Sequence, residues 1–318
     1  MYRLKKIHIR EYMMRRLAAV LLLTICAVLW ALTVAAVRAD ERPRNIVLIG
    51  WDGAHRDRVK ACLEQNRLPN LKRLSSEGSI VAIDVLRTTD TKSGWAQILT
   101  GYSPEITGVF SNRRYRPIPK GYTVFERLER HFGPENIATV AVIAKKNNLG
   151  AGPGDPFFHA KDGMDLFVNG LGANDRVVVA AALEQIRNNA GRRFFLFVHF
   201  AEADYAGHWH GEDSKEYTEA LVAADEMTGR IIGELKKLGL YRKTLVYVTA
   251  DHGFDEGRTS HDDAPFVFLA TNDRAVMRRG ERADIAPTIL DRFGVDIRTL
   301  RPPLTGHTLT KPCTPPVW

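Results

Sequence analysis

Apolar residues along this chain gather in short, nearly unbroken runs, separated by stretches in which they recur every three or four positions. Asn45–Gly50 (NIVLIG), Ile80–Leu86, Ile137–Ile143 (IATVAVI), Phe194–Phe200 (FFLFVHF), Thr244–Thr249 (TLVYVT) and Pro265–Ala270 have strand length. Runs of this kind belong to strands buried on both faces of a sheet. Between them, Asp57–Gly78, Lys92–Leu99, Val124–His131, Asp175–Asn188, Asp213–Leu238 and Ile285–Phe293 read as helices. Asp213 and Glu216 predict a capping box at the start of the longest helix. Residues 147–170 are rich in Gly, Asn and Pro and read as a loop, within a lid region spanning about 110–170. The alternation predicts an α/β fold, with a mostly parallel central sheet between two layers of helices. No linker-like stretch divides residues 40–318, so they form one domain.

The first 39 residues have a different pattern. A basic stretch to Arg16 precedes Leu17–Val37, which carries no charge, and Val37-Arg38-Ala39 puts small residues before Asp40. A basic start, an apolar middle and a small-residue exit describe an export signal. The 21-residue apolar run is also long enough to cross a bilayer core of about 30 Å as an anchor helix. With the basic flank kept inside, the body is expected outside the cytoplasm in either case: periplasmic, secreted or anchored facing outward.

Charge then changes its meaning. The formal net charge is +8, but residues 1–39 hold seven Lys and Arg against one Glu. The rest is close to neutral and gives no electrostatic case for nucleic-acid binding. The exported body has only Cys62 and Cys313, enough for one disulfide but not for a disulfide framework.

Candidate chemistry lies just beyond three strands. NIVLIG runs into Trp51-Asp52-Gly53, FFLFVHF into Asp204 and His208, and TLVYVT into Asp251-His252-Gly253, with His261 nine residues further on. In open α/β sheets, ligands bind outside the carboxyl ends of the strands. Three Asp and three His on one edge suit zinc or a similar transition metal, and six donors exceed one tetrahedral ion. A hydroxyl nucleophile is available at Thr91, where a strand turns into a helix start, with Ser93 as a fallback. Amides at a helix N-terminus favour phosphate there.

These pieces occur in a familiar order: Asp52, LPNLKRLSSEG (68–78), Thr89-Asp90-Thr91 followed by Thr100-Gly101, PEITGV (104–109), DYAGH (204–208), ADHG (250–253), His261 and DIAPTIL (284–290). The order and spacing resemble the alkaline phosphatase superfamily, especially its nucleotide pyrophosphatase/phosphodiesterase branch. The resemblance implies an alkaline phosphatase-like three-layer sandwich and two divalent metal ions, zinc by the donor set. One ion would be held by Asp204, His208 and His261. The other would be held by Asp52, Asp251, His252 and the nucleophile Thr91. Asn112, 21 residues after Thr91, matches a phosphate-binding Asn. Lys145 and Lys146 resemble a lysine with which monoesterases of the superfamily hold phosphate dianions.

The implied activity is hydrolysis of a phosphate monoester or diester on a small molecule or head group. Lys92, Ser93 and Gly94 stand where diesterases often carry an aromatic residue, Pro and Asn, so both ester classes stay open. Two alternatives share the fold: a sulfatase-like ester hydrolase, and a membrane-proximal transferase of phosphate groups. Formylglycine sulfatases place Pro and Arg in the motif around the modified residue, whereas Ser93 is followed by Gly94 and Trp95.

Overall fold

The computed structural model describes residues 43–310 and, before them, Thr24 alone. An eight-stranded sheet forms the centre. Its strands are β1 (Asn45–Trp51), β2 (Ser79–Asp84), β3 (Ala138–Ile143), β4 (Leu166–Asn169), β5 (Phe194–Phe200), β6 (Thr244–Thr249), β7 (Phe266–Thr271) and β8 (Gly280–Glu281). They lie in the order β4-β3-β5-β1-β6-β7-β2-β8. All run one way except β7, which is antiparallel to β6 and β2. The three-layer α/β architecture expected from the sequence is therefore the one observed.

The helices are α1 (Arg56–Glu64), α2 (Pro69–Glu77), α3 (Thr91–Thr100), α4 (Pro104–Thr107), α5 (Val124–Phe132), α6 (Asp175–Asn188), α7 (Glu202–His210), α8 (Lys215–Lys237) and α9 (Ile285–Phe293). One group gathers on α8, which touches α1, α2, α6 and α7; another gathers on α9, which touches α3 and α5. Helices on both faces explain why β1, β3 and β5 are buried at every position.

Local chemistry moves several predicted boundaries. The stretch 57–78 holds two helices, because Asn66 takes a positive φ of 59° and Pro69 opens α2. Helix α8 begins two residues later than the Asp213 boundary. Its N-cap is Ser214, whose hydroxyl accepts from the Tyr217 amide, so the predicted Asp213–Glu216 capping box does not form. The 147–170 loop contains the edge strand β4, four residues that pair in parallel with β3. Strand β3 lies between β4 and β5, so part of the 110–170 region belongs to the sheet. Cys62 is buried in α1, whereas Cys313 lies outside the described residues. The apolar segment 17–37 lies outside them too, apart from Thr24. Among the described residues, no helix is long and apolar enough to cross a membrane.

The sheet fixes where chemistry can gather. Strands β5, β1 and β6 are adjacent and parallel, with Trp51 opposite Phe200 and Gly50 opposite Thr249, so they end side by side. Helix α3, buried along its whole length, approaches the end of β1 through Trp95. The Trp95 ring sits over Gly50, where a Cβ would fall inside the ring's van der Waals shell. Gly50→Ala is expected to destabilise the fold by about 1–3 kcal/mol, the usual cost of overpacking a tight core. A denaturant midpoint equal to wild type would contradict that packing.

Candidate active site

Asp52, Asp204 and Asp251 follow β1, β5 and β6, and their three carboxylates are buried together. The Asp52 amide donates to the Phe200 carbonyl at 3.1 Å, carrying the β1–β5 ladder one residue beyond the strand. Gly53 then turns the chain with a φ of +73° and donates its amide to Asp251 Oδ1 at 3.3 Å. A Cβ at Gly53 would stand 2.9 Å from the Asp204 Cα, so glycine allows both the turn and the close approach.

Asp204 and His208 lie one turn apart on α7, a spacing that puts them on the same helix face. His208 Nε2 is 3.5 Å from Asp204 Oδ1. Sequence periodicity did not reveal α7, which is short and contains Gly207. That glycine is needed because a Cβ would collide with the Phe254 ring. His261 is carried by the loop after Asp251-His252, and its ring stacks on His252 with centroids 3.9 Å apart. Thr91, the first residue of α3, places Oγ1 3.2 Å from His252 Nε2. All six predicted Asp and His donors and Thr91 thus come from strand ends, α7, one loop and the α3 start.

Two sets of donor atoms converge within this cluster: Asp204, His208 and His261 form one, and Asp52, Asp204 and His252 form the other. The first is the trio expected from the sequence. In the second, Asp204 takes the place expected of Asp251, although Asp251 Oδ2 also lies 3.5 Å from His252 Nε2.

The protonation pattern shows what the cluster can hold. His252 Nδ1 lies 2.9 Å from the Gly253 carbonyl and His208 Nδ1 2.9 Å from the Thr259 carbonyl. A carbonyl only accepts, so each Nδ1 carries the proton, and in a neutral ring Nε2 presents a lone pair. Burial lowers the pKa of His252. Burial and the neighbouring His252 bring His261 down to about 4. Both rings are therefore neutral near pH 7. His252 Nε2 then faces Asp52, Asp204 and Asp251 oxygens, each at 3.5 Å. The Thr91 hydroxyl can donate to that lone pair, but the surrounding carboxylate oxygens repel it, and a cation among them would relieve this. Asp204 Oδ1 and Asp251 Oδ2 are also buried without a hydrogen-bond partner. Uncompensated buried acceptors and imidazole lone pairs turned inward fit divalent cations.

Lys145 supplies one positive charge, donating to Asp52 Oδ1 at 2.9 Å and to Asp204 Oδ2. Burial pulls its pKa down, but the two carboxylates outweigh burial and hold it above its ordinary value. Burial likewise pushes Asp52 up, and Lys145 and His199 overcome this to hold it well below the usual carboxylate range. Asp251 goes the other way: burial and the charge of Asp52 raise its pKa well above normal. Asn112 accepts the Lys92 amide on Oδ1 at 2.9 Å, which leaves its NH₂ as the donor end of the side chain. Lys92 Nζ donates to the Asn147 carbonyl at 2.6 Å and lies over the Tyr115 ring. Ser93 Oγ is fully buried and accepts from Gln97 Nε2 at 3.3 Å.

Four residues that received no role from the sequence hold the site in shape. His199 Nε2 is 2.8 Å from Asp52 Oδ2, which leaves Oδ1 to face the centre. Arg282 is fully buried and donates to the carbonyls of Asp251, Leu86 and Thr88, tying the loop before Thr91 to the end of β6. Gly94 permits this approach, since a Cβ there would be 2.8 Å from the Asp251 Cβ. Asp175 accepts the Ala201 and Glu202 amides and so fixes the start of α7. Glu212 accepts from Arg58 and the Gly257 amide, contacts His55 Nδ1 at 3.0 Å, and so anchors the loop that carries His261. A polar residue in an apolar strand, as in FFLFVHF, was the one available signal, and it pointed to His199.

Residues 46–293 match the family described as Type I phosphodiesterase / nucleotide pyrophosphatase, and the chain belongs to that family. Ectonucleotide pyrophosphatase/phosphodiesterase family member 1 of Homo sapiens is 28% identical over 183 residues, covering 53% of this chain and 19% of that protein. Bis(5′-adenosyl)-triphosphatase ENPP4 of Homo sapiens is 24% identical over 229 residues, covering 69% of this chain and 49% of that protein. The chain thus spans half or less of the length of these relatives. Among solved structures, the alkaline phosphatase of the Antarctic bacterium TAB5 superposes with a TM-score of 0.57 at 14% identity, over 80% of this chain and 99% of that one. The likeness shows a shared fold; a substituted form of that phosphatase has magnesium bound.

The raised pKa of Asp251 has a measurable consequence. A cation beside Asp251 favours its ionised form, so cation uptake and proton release are linked. The apparent zinc affinity of the metal-free chain is expected to rise with pH. An affinity independent of pH would contradict the raised pKa of Asp251.

Proposed function

We propose that the chain hydrolyses phosphoric esters, with Thr91 as nucleophile at a centre of two divalent cations, zinc by the mixture of carboxylate and imidazole donors. One observation carries this reading. The Thr91 hydroxyl opens a buried helix 3.2 Å from His252 Nε2, at the edge of a cluster whose Asp204 and Asp251 oxygens lack hydrogen-bond partners. Asp204, His208 and His261 would hold one cation, and Asp52, Asp251, His252 and Thr91 the other. Bound there, the cations would lower the pKa of the threonine hydroxyl and offset charge on the departing oxygen.

The chain's own residues do the rest. Thr91 Oγ1 gives its proton to solvent and attacks phosphorus in line, the bond from phosphorus to the alcohol oxygen breaks, and the alcohol leaves with a proton from solvent. Water then cleaves the phosphothreonine, releasing phosphate from a monoester or a phosphomonoester from a diester. The Asn112 NH₂, held by the bond from the Lys92 amide to Oδ1, and the amides at the start of α3 hold the non-bridging oxygens. Lys145 adds charge there by exchanging its contacts with Asp52 and Asp204 for the phosphate. A lysine so close to the carboxylates speaks for a dianionic monoester, whereas the family speaks for a diester. The relative named as a bis(5′-adenosyl)-triphosphatase supports chemistry at phosphorus in general. The basic and apolar pattern of residues 1–39 supports action outside the cytoplasm.

The test is hydrolysis of an aryl phosphate monoester, a phosphate diester and an aryl sulfate by the zinc-loaded full chain. Phosphate ester turnover is expected, lowered by roughly a thousandfold or more in Thr91→Ala. Asn112→Ala should cost on the order of a hundredfold, as losing one oxyanion donor does. Thr91→Ala at near wild-type rates, or turnover of sulfate alone, would overturn the proposal.

A further inference from the structure

A cavity of about 370 Å³ opens directly beside the carboxylate cluster and shares Lys145 and Asp204 with it. The rest of its lining is distinctive. Lys146, Asn147 and Asn148 follow Lys145 along one wall, and Gly170 and Gly172 form another without side chains. These glycines take φ of +83° and +82°, and their amides donate to the Ile143 and Ala144 carbonyls, so the loop is laid along the end of β3. Tyr205 is the one aromatic ring in the lining, and Ala144 the one aliphatic side chain.

The Tyr205 ring joins this cavity to the reacting centre. It follows Asp204 on α7, and Lys145 Nζ lies 5.4 Å from its centroid. One helical turn further, Trp209 packs on Tyr205 with centroids 5.7 Å apart. Trp209 is 71% exposed. The Asp204–His208 pair and the Tyr205–Trp209 pair are thus successive i, i+4 pairs on one helix, one facing the cluster and the other extending a ring surface outward.

Each wall narrows what can be bound. An acyl chain would find only the Ala144 methyl and the lysine stems as aliphatic surface and would leave the amides unpaired. A small alkyl alcohol would leave the amides and the lysine without partners. A ring carrying hydroxyls satisfies both kinds of surface at once, since its C–H face covers an aromatic ring while its hydroxyls meet amide and ammonium groups. We propose that this cavity receives the alcohol part of the ester, and that this part is a hydroxylated six-membered ring, a sugar or a cyclitol, laid against Tyr205 with its hydroxyls on Asn147, Asn148 and Lys146. The proposal rests on the phosphoesterase reading above, because it names the group attached to the phosphorus that Thr91 attacks.

The experiment compares kcat/KM for a sugar or cyclitol phosphate with kcat/KM for an ethyl phosphate of the same ester class. It uses the zinc-loaded full chain and covers monoesters and diesters separately. A preference for the ring of roughly tenfold or more is expected, equivalent to one good stacking contact and a hydrogen bond. Tyr205→Ala should bring the ratio close to one by lowering the ring ester alone, and Tyr205→Phe should keep most of it. Asn148→Ala should lower the ratio severalfold without changing ethyl ester turnover. A wild-type ratio near one, a ratio unmoved in Tyr205→Ala and Asn148→Ala, or an equal loss on both esters would overturn the assignment while leaving the phosphoesterase reading intact. Failure to hydrolyse any phosphate ester would overturn that reading, and this assignment with it.

Discussion

Three carboxylates buried side by side cannot all stay charged without cations among them. Asp52, Asp204 and Asp251 are almost wholly removed from water, and an unpaired charge is costly in such surroundings. The chain itself provides Lys145 and a donor from His199, and burial beside Asp52 raises the pKa of Asp251 well above normal. These leave two carboxylate oxygens without partners. Most other features of the site follow from this charge imbalance. The histidines turn their lone pairs inward by tying Nδ1 to backbone carbonyls, and Thr91 is brought up on a helix whose N-terminus favours anions.

The scaffold delivers these groups with backbone rather than with long side chains. Adjacent parallel strands end together, so short aspartates suffice to reach the centre. Close approach is bought by glycine at Gly50, Gly53, Gly94 and Gly207, each at a place where a Cβ would meet a ring or another site residue. Arg282 then fastens the loop before Thr91 to the end of β6, and burial brings its pKa down to about 10. Glu212 does the same for the loop of His261. There the upward push of burial is overcome by bonds from His55 and Arg58, which hold its pKa at about 2.

Much of this was legible in the sequence because the donors sit at fixed places in a pattern. An apolar run followed at once by Asp marks a strand end in an α/β fold, and Asp204–His208 has helical spacing. The strand and helix alternation gave the three layers for the same reason. What stayed hidden depends on partners distant in sequence. Arg282 reads as a surface arginine before α9, Glu212 as a loop acid and His199 as an oddity in a strand, until the fold brings their partners in. Helix α7 was obscured by Gly207, and β4 by its four-residue length among glycines. The sharing of Asp204 between two donor sets is a matter of ångströms, which spacing cannot express.

The cluster is proposed to hold two cations, and metal stoichiometry tests this most directly. The full chain, stripped of metal and then dialysed against zinc, would be weighed by native mass spectrometry. Two zinc ions per chain are expected, falling to one in His261→Ala. A chain that keeps a single ion or none, with wild-type folding intact, would contradict the account.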